Sequence, residues 1–115
     1  MTKSERATAI VTGSSRGVGA STAIKLASKG WNVTITCSSS EKEAIEVSEE
    51  CKSLGGETLV IKSDVSEEKN CKDVVDQTIK KWGRLDALIN NAGTTKFNAH
   101  ENLSGLTSED FLRLY

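Results

Sequence analysis

A chain of 115 residues leaves room for one small domain at most. Fifteen Lys and Arg against 16 Asp and Glu give a formal net charge of −1, which supplies no electrostatic case for nucleic acid or an anionic membrane surface as partner. Three cysteines at wide spacing (Cys37, Cys51 and Cys71), no Cys-x-x-Cys and a single histidine cannot complete a common zinc set, so no metal site is expected.

The first element is the apolar run "ATAIV", Ala7 to Val11, which ends at Thr12-Gly13 and reads as a buried strand. From Gly17 the period changes. Ala20, Ala23, Ile24 and Ala27 fall on one face of a helix, and Gly30 after Lys29 is its stop. "WNVTITC", Trp31 to Cys37, is β-branched and alternating, a second strand. Ser38-Ser39-Ser40 forms a turn and helix cap, and Ala44, Val47, Cys51 and Leu54 mark a helical stripe that stops at Gly55-Gly56.

"TLVIKSDV", Thr58 to Val65, is the third strand. Ser66-Glu67-Glu68-Lys69 then opens a helix with acidic residues where the dipole favours them. Its stripe is Cys71, Val75, Thr78, Ile79 and Trp82, ending at Gly83. "LDALIN", Leu85 to Asn90, is the fourth strand, closed by Asn90-Asn91-Ala92-Gly93. The following residues are polar and irregular until "TSEDFLRLY", which reads as the start of a helix.

Strands separated by helices need crossover connections, which give parallel pairs of one hand. The pattern β-α-β-α-β-α-β therefore predicts an α/β fold: a partial doubly wound (Rossmann) parallel sheet. Its four strands stand in the order 3-2-1-4, with helices on both faces. In such a sheet ligands sit at the carboxyl ends of the strands where the order reverses, here between strands 1 and 4.

The turn at that place reads Thr12-Gly13-Ser14-Ser15-Arg16-Gly17-Val18-Gly19. Gly13 lets the backbone leave the strand sharply. Gly17 and Gly19 lack a Cβ, so a pyrophosphate can approach and the helix can pack closely. Amides at the helix start and the positive dipole end stabilise phosphate charge, and Ser14, Ser15 and Arg16 add donors. A glycine-rich turn also simply ends a strand. The phosphate reading gains from the strand before it and the helix after it. It is not a P-loop, since no Lys-Ser/Thr pair follows Gly19.

TGxxxGxG after the first strand, Asp64-Val65 after the third and Asn90 to Gly93 after the fourth together resemble the short-chain dehydrogenase/reductase family. The resemblance runs from Ala7 to Tyr115. "TGSSRGVG" and "NNAGTTKFNAHENL" are most similar to the 3-oxoacyl-[acyl-carrier-protein] reductase type of member. The resemblance implies that Gly13, Ser15, Arg16 and Gly19 cradle the cofactor's phosphates and adenine ribose, with Val18 along that loop. It implies that Asp64 meets the adenine amino group, with Val65 beside the ring, and that Asn91, Ala92 and Gly93 border the nicotinamide ribose. Asn90 either joins them or ties the fourth strand to its neighbours.

An NAD user needs an acid at the end of strand 2 for the ribose 2′-OH. Here Cys37-Ser38-Ser39-Ser40 fills that place, with no carboxylate until Glu41. Arg16 supplies a fixed positive charge, and Ser38 and Ser39 leave room and donors for a 2′-phosphate. The expected cofactor is NADP(H). The bland alternative is a solvent-facing Arg16 and an ordinary serine cap.

Family members of this type carry a catalytic Tyr-x-x-x-Lys, a Ser and a helical Asn. The single tyrosine here is Tyr115, so these residues are expected to be the dinucleotide-binding part, 1–115, without the catalytic half and with no catalytic residue of their own. His100 reads as a surface residue, and Lys96 has no partner from which to argue a role. The implied reaction is hydride transfer between NADPH and a carbonyl, on the 3-oxoacyl thioester pattern. The other reading is a stand-alone, non-catalytic dinucleotide-binding or regulatory module. An open edge at strand 4, carrying Leu85, Ala87, Leu88 and Ile89, predicts self-association or pairing with another chain. Free thiols, no apolar leader in "MTKSERATAIVTG" and no spanning run make the cytoplasm the expected location, with no membrane partner.

Overall fold

Apolar, β-branched runs form strands, and 3.6-residue stripes form the helices between them. In the computed structural model, which describes residues 6–15, 17–39, 41–65 and 67–91, the chain order is β1 (Thr8–Val11), α1 (Gly17–Ser28), β2 (Asn32–Cys37), α2 (Glu41–Ser53), β3 (Glu57–Lys62), α3 (Glu68–Trp82) and β4 (Ala87–Ile89). The four strands form one sheet in the order β3-β2-β1-β4. Every pairing is parallel, with Ala9 opposite Val33 on one side and Ala87 on the other. This is the expected partial doubly wound arrangement.

Alternation along the strands sorts the core into two layers. Val11, Val33, Ile35 and Cys37 face α1 and α2, where Ala23, Ala27, Ala44, Val47 and Cys51 meet them. Ile10, Ile61 and Leu88 face the other way, onto Cys71, Val74 and Val75 of α3. Burying each large aliphatic side chain here is worth about 1.5–3 kcal/mol. All six positions of β2 are buried, as a parallel strand covered on both faces requires.

A strand buried on both faces must satisfy its polar side chains internally. Thr34 Oγ1 lies 2.7 Å from Thr78 Oγ1 on α3. The Thr78 hydroxyl already donates to Val74 O at 2.8 Å, so Thr34 is the donor of the pair. Asn32 Nδ2 donates to Thr8 Oγ1 at 3.1 Å, joining β2 to β1.

Several boundaries differ from the sequence pattern. β3 ends at Lys62 and does not reach Val65. The Ser63 amide still donates to Cys37 O at 2.8 Å, but the Asp64 carbonyl accepts from Glu67 N and Asn70 Nδ2, which bends the chain into α3. β4 begins at Ala87, two residues after the expected Leu85. Leu85 is fully buried in the α3-side layer, and the Asp86 carboxylate takes the Thr8 amide at 2.8 Å in front of the strand. Leu54 is 47% exposed because α2 stops before it. On α3 Val74, absent from the expected stripe, is fully buried with Cys71, Val75 and Thr78, while the expected Ile79 is only half-buried. α3 closes on Gly83 at φ 77°, whose amide donates to Ile79 O at 2.6 Å.

Candidate functional site at the β1–α1 turn

β1 delivers the chain to Thr12 and Gly13 at the reversal of strand order, with β2 on one side and β4 on the other. The turn is bonded to both neighbours. Toward β4, the Thr12 amide donates to Ile89 O at 3.0 Å. The Asn91 amide donates to Thr12 Oγ1 at 2.9 Å, and Asn91 Nδ2 reaches Gly13 O at 3.4 Å. Toward β2, the Gly13 amide donates to Thr36 Oγ1 at 3.2 Å and the Ser14 amide to Thr36 O at 3.3 Å. Gly13 and Gly17 both stand at φ 62°, the left-handed region that glycine enters without strain.

Gly19 is a point of close approach. A Cβ there would overlap the Gly13 carbonyl oxygen and lie 2.8 Å from Asn91 Nδ2. Three elements (the turn, the first turn of α1 and the end of β4) therefore meet only because this residue has no side chain. A Cβ at Gly17, by contrast, would meet nothing within 4 Å, so the open side of the loop is there. The first turn of α1 holds no acidic residue, whereas α2 opens with Glu41 and Glu43 and α3 with Glu68. The positive end of the α1 dipole is thus left without a local carboxylate.

The structure brings Gly13, Gly19 and Asn91 together, with Ser15 half-buried beside them and Val18 74% exposed at the start of α1. Ser38 and Ser39 are exposed just past β2, and Asp64 is exposed just past β3. Val65 is buried in the α3-side layer. All of these lie at carboxyl ends of strands. Arg16, Ala92 and Gly93 fall outside the described residues, as do Ser40, Lys96, His100 and Tyr115.

Ser14 departs from its expected role as an added donor. It is fully buried; its hydroxyl donates to Val11 O at 2.6 Å and accepts the Thr36 amide at 3.1 Å. Its hydrogen is committed inside the fold, so its side chain shapes the loop. Asn90 Oδ1 accepts from Thr12 Oγ1 at 3.4 Å, the tie between strands that was one of its two readings. Sequence reasoning gave Thr12 and Thr36 no function. Both are buried and hold the glycine turn in place. Thr12 directly follows β1 and Thr36 is the next-to-last residue of β2, and it is the fold that brings both hydroxyls to the turn.

Burial pushes the Cys37 thiol up; Glu41 adds to this and Lys62 opposes it. The thiol stays protonated near neutral pH and is no nucleophile. An open groove of about 720 Å³ runs along α1 from Gly17 to Lys29, lined also by Val18, Ser21, Thr22, Lys25 and Leu26. It follows the face of α1 opposite the buried Gly19–Ala23–Ala27 stripe and begins at Gly17, so its upper end borders the glycine turn, which remains the candidate site. Among the described residues no helix is long and apolar enough to cross a membrane.

A parallel α/β sheet with a glycine-lined helix start at its order reversal defines a class of ligand-binding fold. The chain belongs to the short chain dehydrogenase family, whose profile matches residues 7–115. It is similar to 3-oxoacyl-[acyl-carrier-protein] reductase FabG of Staphylococcus epidermidis, with 40% identity over 90 residues, covering 78% of this chain and 37% of that protein. Among solved structures it is similar to a dehydrogenase/reductase from Sinorhizobium meliloti 1021, with TM-score 0.73 and 36% identity over 76% of this chain and 34% of that one. It is also similar to an NADH-dependent reductase complexed with NAD, with TM-score 0.71 and 26% identity over 80% of this chain and 39% of that one. The chain spans less than two fifths of the length of the curated FabG relatives, 37% and 38%.

Proposed function

We propose that these residues bind NADP(H) as the nucleotide-holding part of a short-chain oxidoreductase. The observation that carries this reading is the start of α1: among the described helices it alone opens without an acidic residue, and it does so at the glycine turn where the strand order reverses. A diphosphate fits there, since Gly17 leaves open space and the first-turn amides and dipole favour an anion.

Gly13, Ser15, Arg16 and Gly19, with Val18 alongside, would hold the phosphates and adenine ribose. Ser38, Ser39 and Arg16 would receive the 2′-phosphate. Asp64 and Val65 would meet the adenine, and Asn91, Ala92 and Gly93 the nicotinamide ribose. Bound NADPH supplies a hydride for a carbonyl. The relative from Staphylococcus epidermidis is named a 3-oxoacyl-[acyl-carrier-protein] reductase, and a 3-oxoacyl thioester is the substrate class we propose. The 115 residues hold no Tyr-x-x-x-Lys, so their share of the reaction is to bind and orient the nucleotide.

Titration of the chain with NADPH and NADH, followed by nucleotide fluorescence, tests this. NADPH is expected to bind several-fold more tightly. Equal affinities would remove the NADP(H) preference, and binding of neither would overturn the nucleotide reading. Among the described residues β4 pairs with β1 alone, and we propose that its outer edge mediates self-association in a soluble, cytoplasmic setting. Sedimentation should then show a concentration-dependent mass. A monomer at every concentration would refute that part.

A further inference from the structure

The ribose end of this proposed site lies where β2 and β3 finish side by side. Their register sets Cys37 opposite Lys62, and the Ser63 amide donates to Cys37 O at 2.8 Å. Lys62 therefore stands one strand over from the point where Ser38 and Ser39 leave β2. All three residues are exposed. β3 is an outer strand of the described sheet, so no further strand covers Lys62 from that side. Among the described residues no hydrogen bond or ion pair engages its ammonium group.

We propose that Lys62, together with the Ser38 and Ser39 hydroxyls, recognises the 2′-phosphate of the nucleotide and so sets a preference for NADPH over NADH. The inference rests on the dinucleotide reading above and adds a residue to it. A phosphomonoester carries about −1.5 to −2 charges at neutral pH. An ammonium on a flexible four-carbon stem suits such a target as a movable point charge. Serine hydroxyls supply directional donors beside it. The 2′-OH of NADH is neutral and offers an ammonium group only an uncharged acceptor.

Glu41, the first residue of α2, is the opposing group. Its charge acts on Cys37 in the opposite sense to that of Lys62, so both side chains project their fields onto the end of β2. An acid there repels a phosphate and accepts from a 2′-OH. Glu41 stands two residues after Ser39 and Lys62 one strand over from Cys37, so substitutions at the two positions should move the cofactor ratio in opposite directions.

The test is the dissociation constant of NADPH and of NADH for the unsubstituted chain and for K62Q, K62R and E41Q, with circular dichroism confirming each fold. K62Q should weaken NADPH about tenfold, the scale of one charge-assisted hydrogen bond, and leave NADH within about twofold. K62R should keep the preference, and E41Q should increase it. 2′,5′-ADP should compete with NADPH for the unsubstituted chain and lose its advantage over ADP in K62Q. If the chain binds both nucleotides and K62Q leaves their ratio unchanged, this inference is wrong while the dinucleotide reading stands. If the unsubstituted chain binds neither nucleotide, that reading fails and takes the inference with it.

Discussion

Two residues of the glycine turn separate shape from contact. Gly19 has no room for a methyl group, because the nearest atoms are backbone of Gly13 and the amide of Asn91. Backbone cannot swing aside as a flexible side chain can. Gly19→Ala should therefore cost about 1–3 kcal/mol of stability, the usual range for overpacking, and should weaken NADPH at least tenfold by parting β1 from β4. Chemical denaturation and nucleotide titration measure both. Ser14 is the contrasting case. Ser14→Ala removes the acceptor of the Thr36 amide and the donor to Val11 O, so about 1–3 kcal/mol of stability should be lost. The NADPH-to-NADH ratio should not change, because a buried hydroxyl reaches no ligand. A shift in that ratio without loss of stability would restore Ser14 to the binding surface.

Elements here are held in place by bonds between them, which local pattern does not disclose. Thr34 on β2 depends on Thr78 on α3 for its acceptor. Thr78→Val keeps the volume and strands the Thr34 hydroxyl, so about 1–3 kcal/mol should be lost in denaturant melts. Thr34→Val in the same background should recover part of it, since two apolar groups of like shape need no partner. Cys51, fully buried on α2, has a thiol pushed from 9.0 up to about 11 by burial and by Glu50. Between those values the unfolded chain releases the proton and the folded one keeps it. The contribution is complete below about pH 9 and is lost as pH rises through 11. The melting temperature should fall over that window more steeply in the parent chain than in Cys51→Ala. Equal slopes would mean the thiol is not responsible.

The order of strands and helices was legible because glycines punctuate it and because period 2 gives way to period 3.6 at each boundary. The ends were not, since they are set by contacts distant in sequence, such as the Asp86 carboxylate on the Thr8 amide. Among site residues, Gly13 and Gly19 were legible as backbone requirements, and Asn91 only through the family resemblance, which gave it a ribose contact and not its bonds to Thr12 and Gly13. Thr36 and Lys62 were not legible. A threonine inside a strand carries no sign that its hydroxyl meets a turn across the sheet. A lysine at a strand end acquires a role only through the register of β2 against β3.

At the scale of the whole molecule, the candidate site and the core share the same bonds. Gly13 is tied to β2 through Thr36 and to β4 through Asn91, so a ligand that fixes the turn also holds the three adjacent strands. A sheet this small buries little beyond what its chain entropy costs, which makes such a contribution visible. Ligand that binds only the folded chain adds stability of RT ln(1 + [L]/Kd), about 2.7 kcal/mol at a concentration one hundred times Kd. For a domain near 100 residues each kcal/mol raises the melting temperature by about 4–8 °C, so saturating NADPH should raise it by about 10–20 °C. NADH at the same concentration should raise it less, and Gly19→Ala should abolish the rise. A melting temperature that stays fixed while fluorescence reports saturation would mean that nucleotide binds the unfolded chain equally well, and the crevice at Gly13 would not be where it is held.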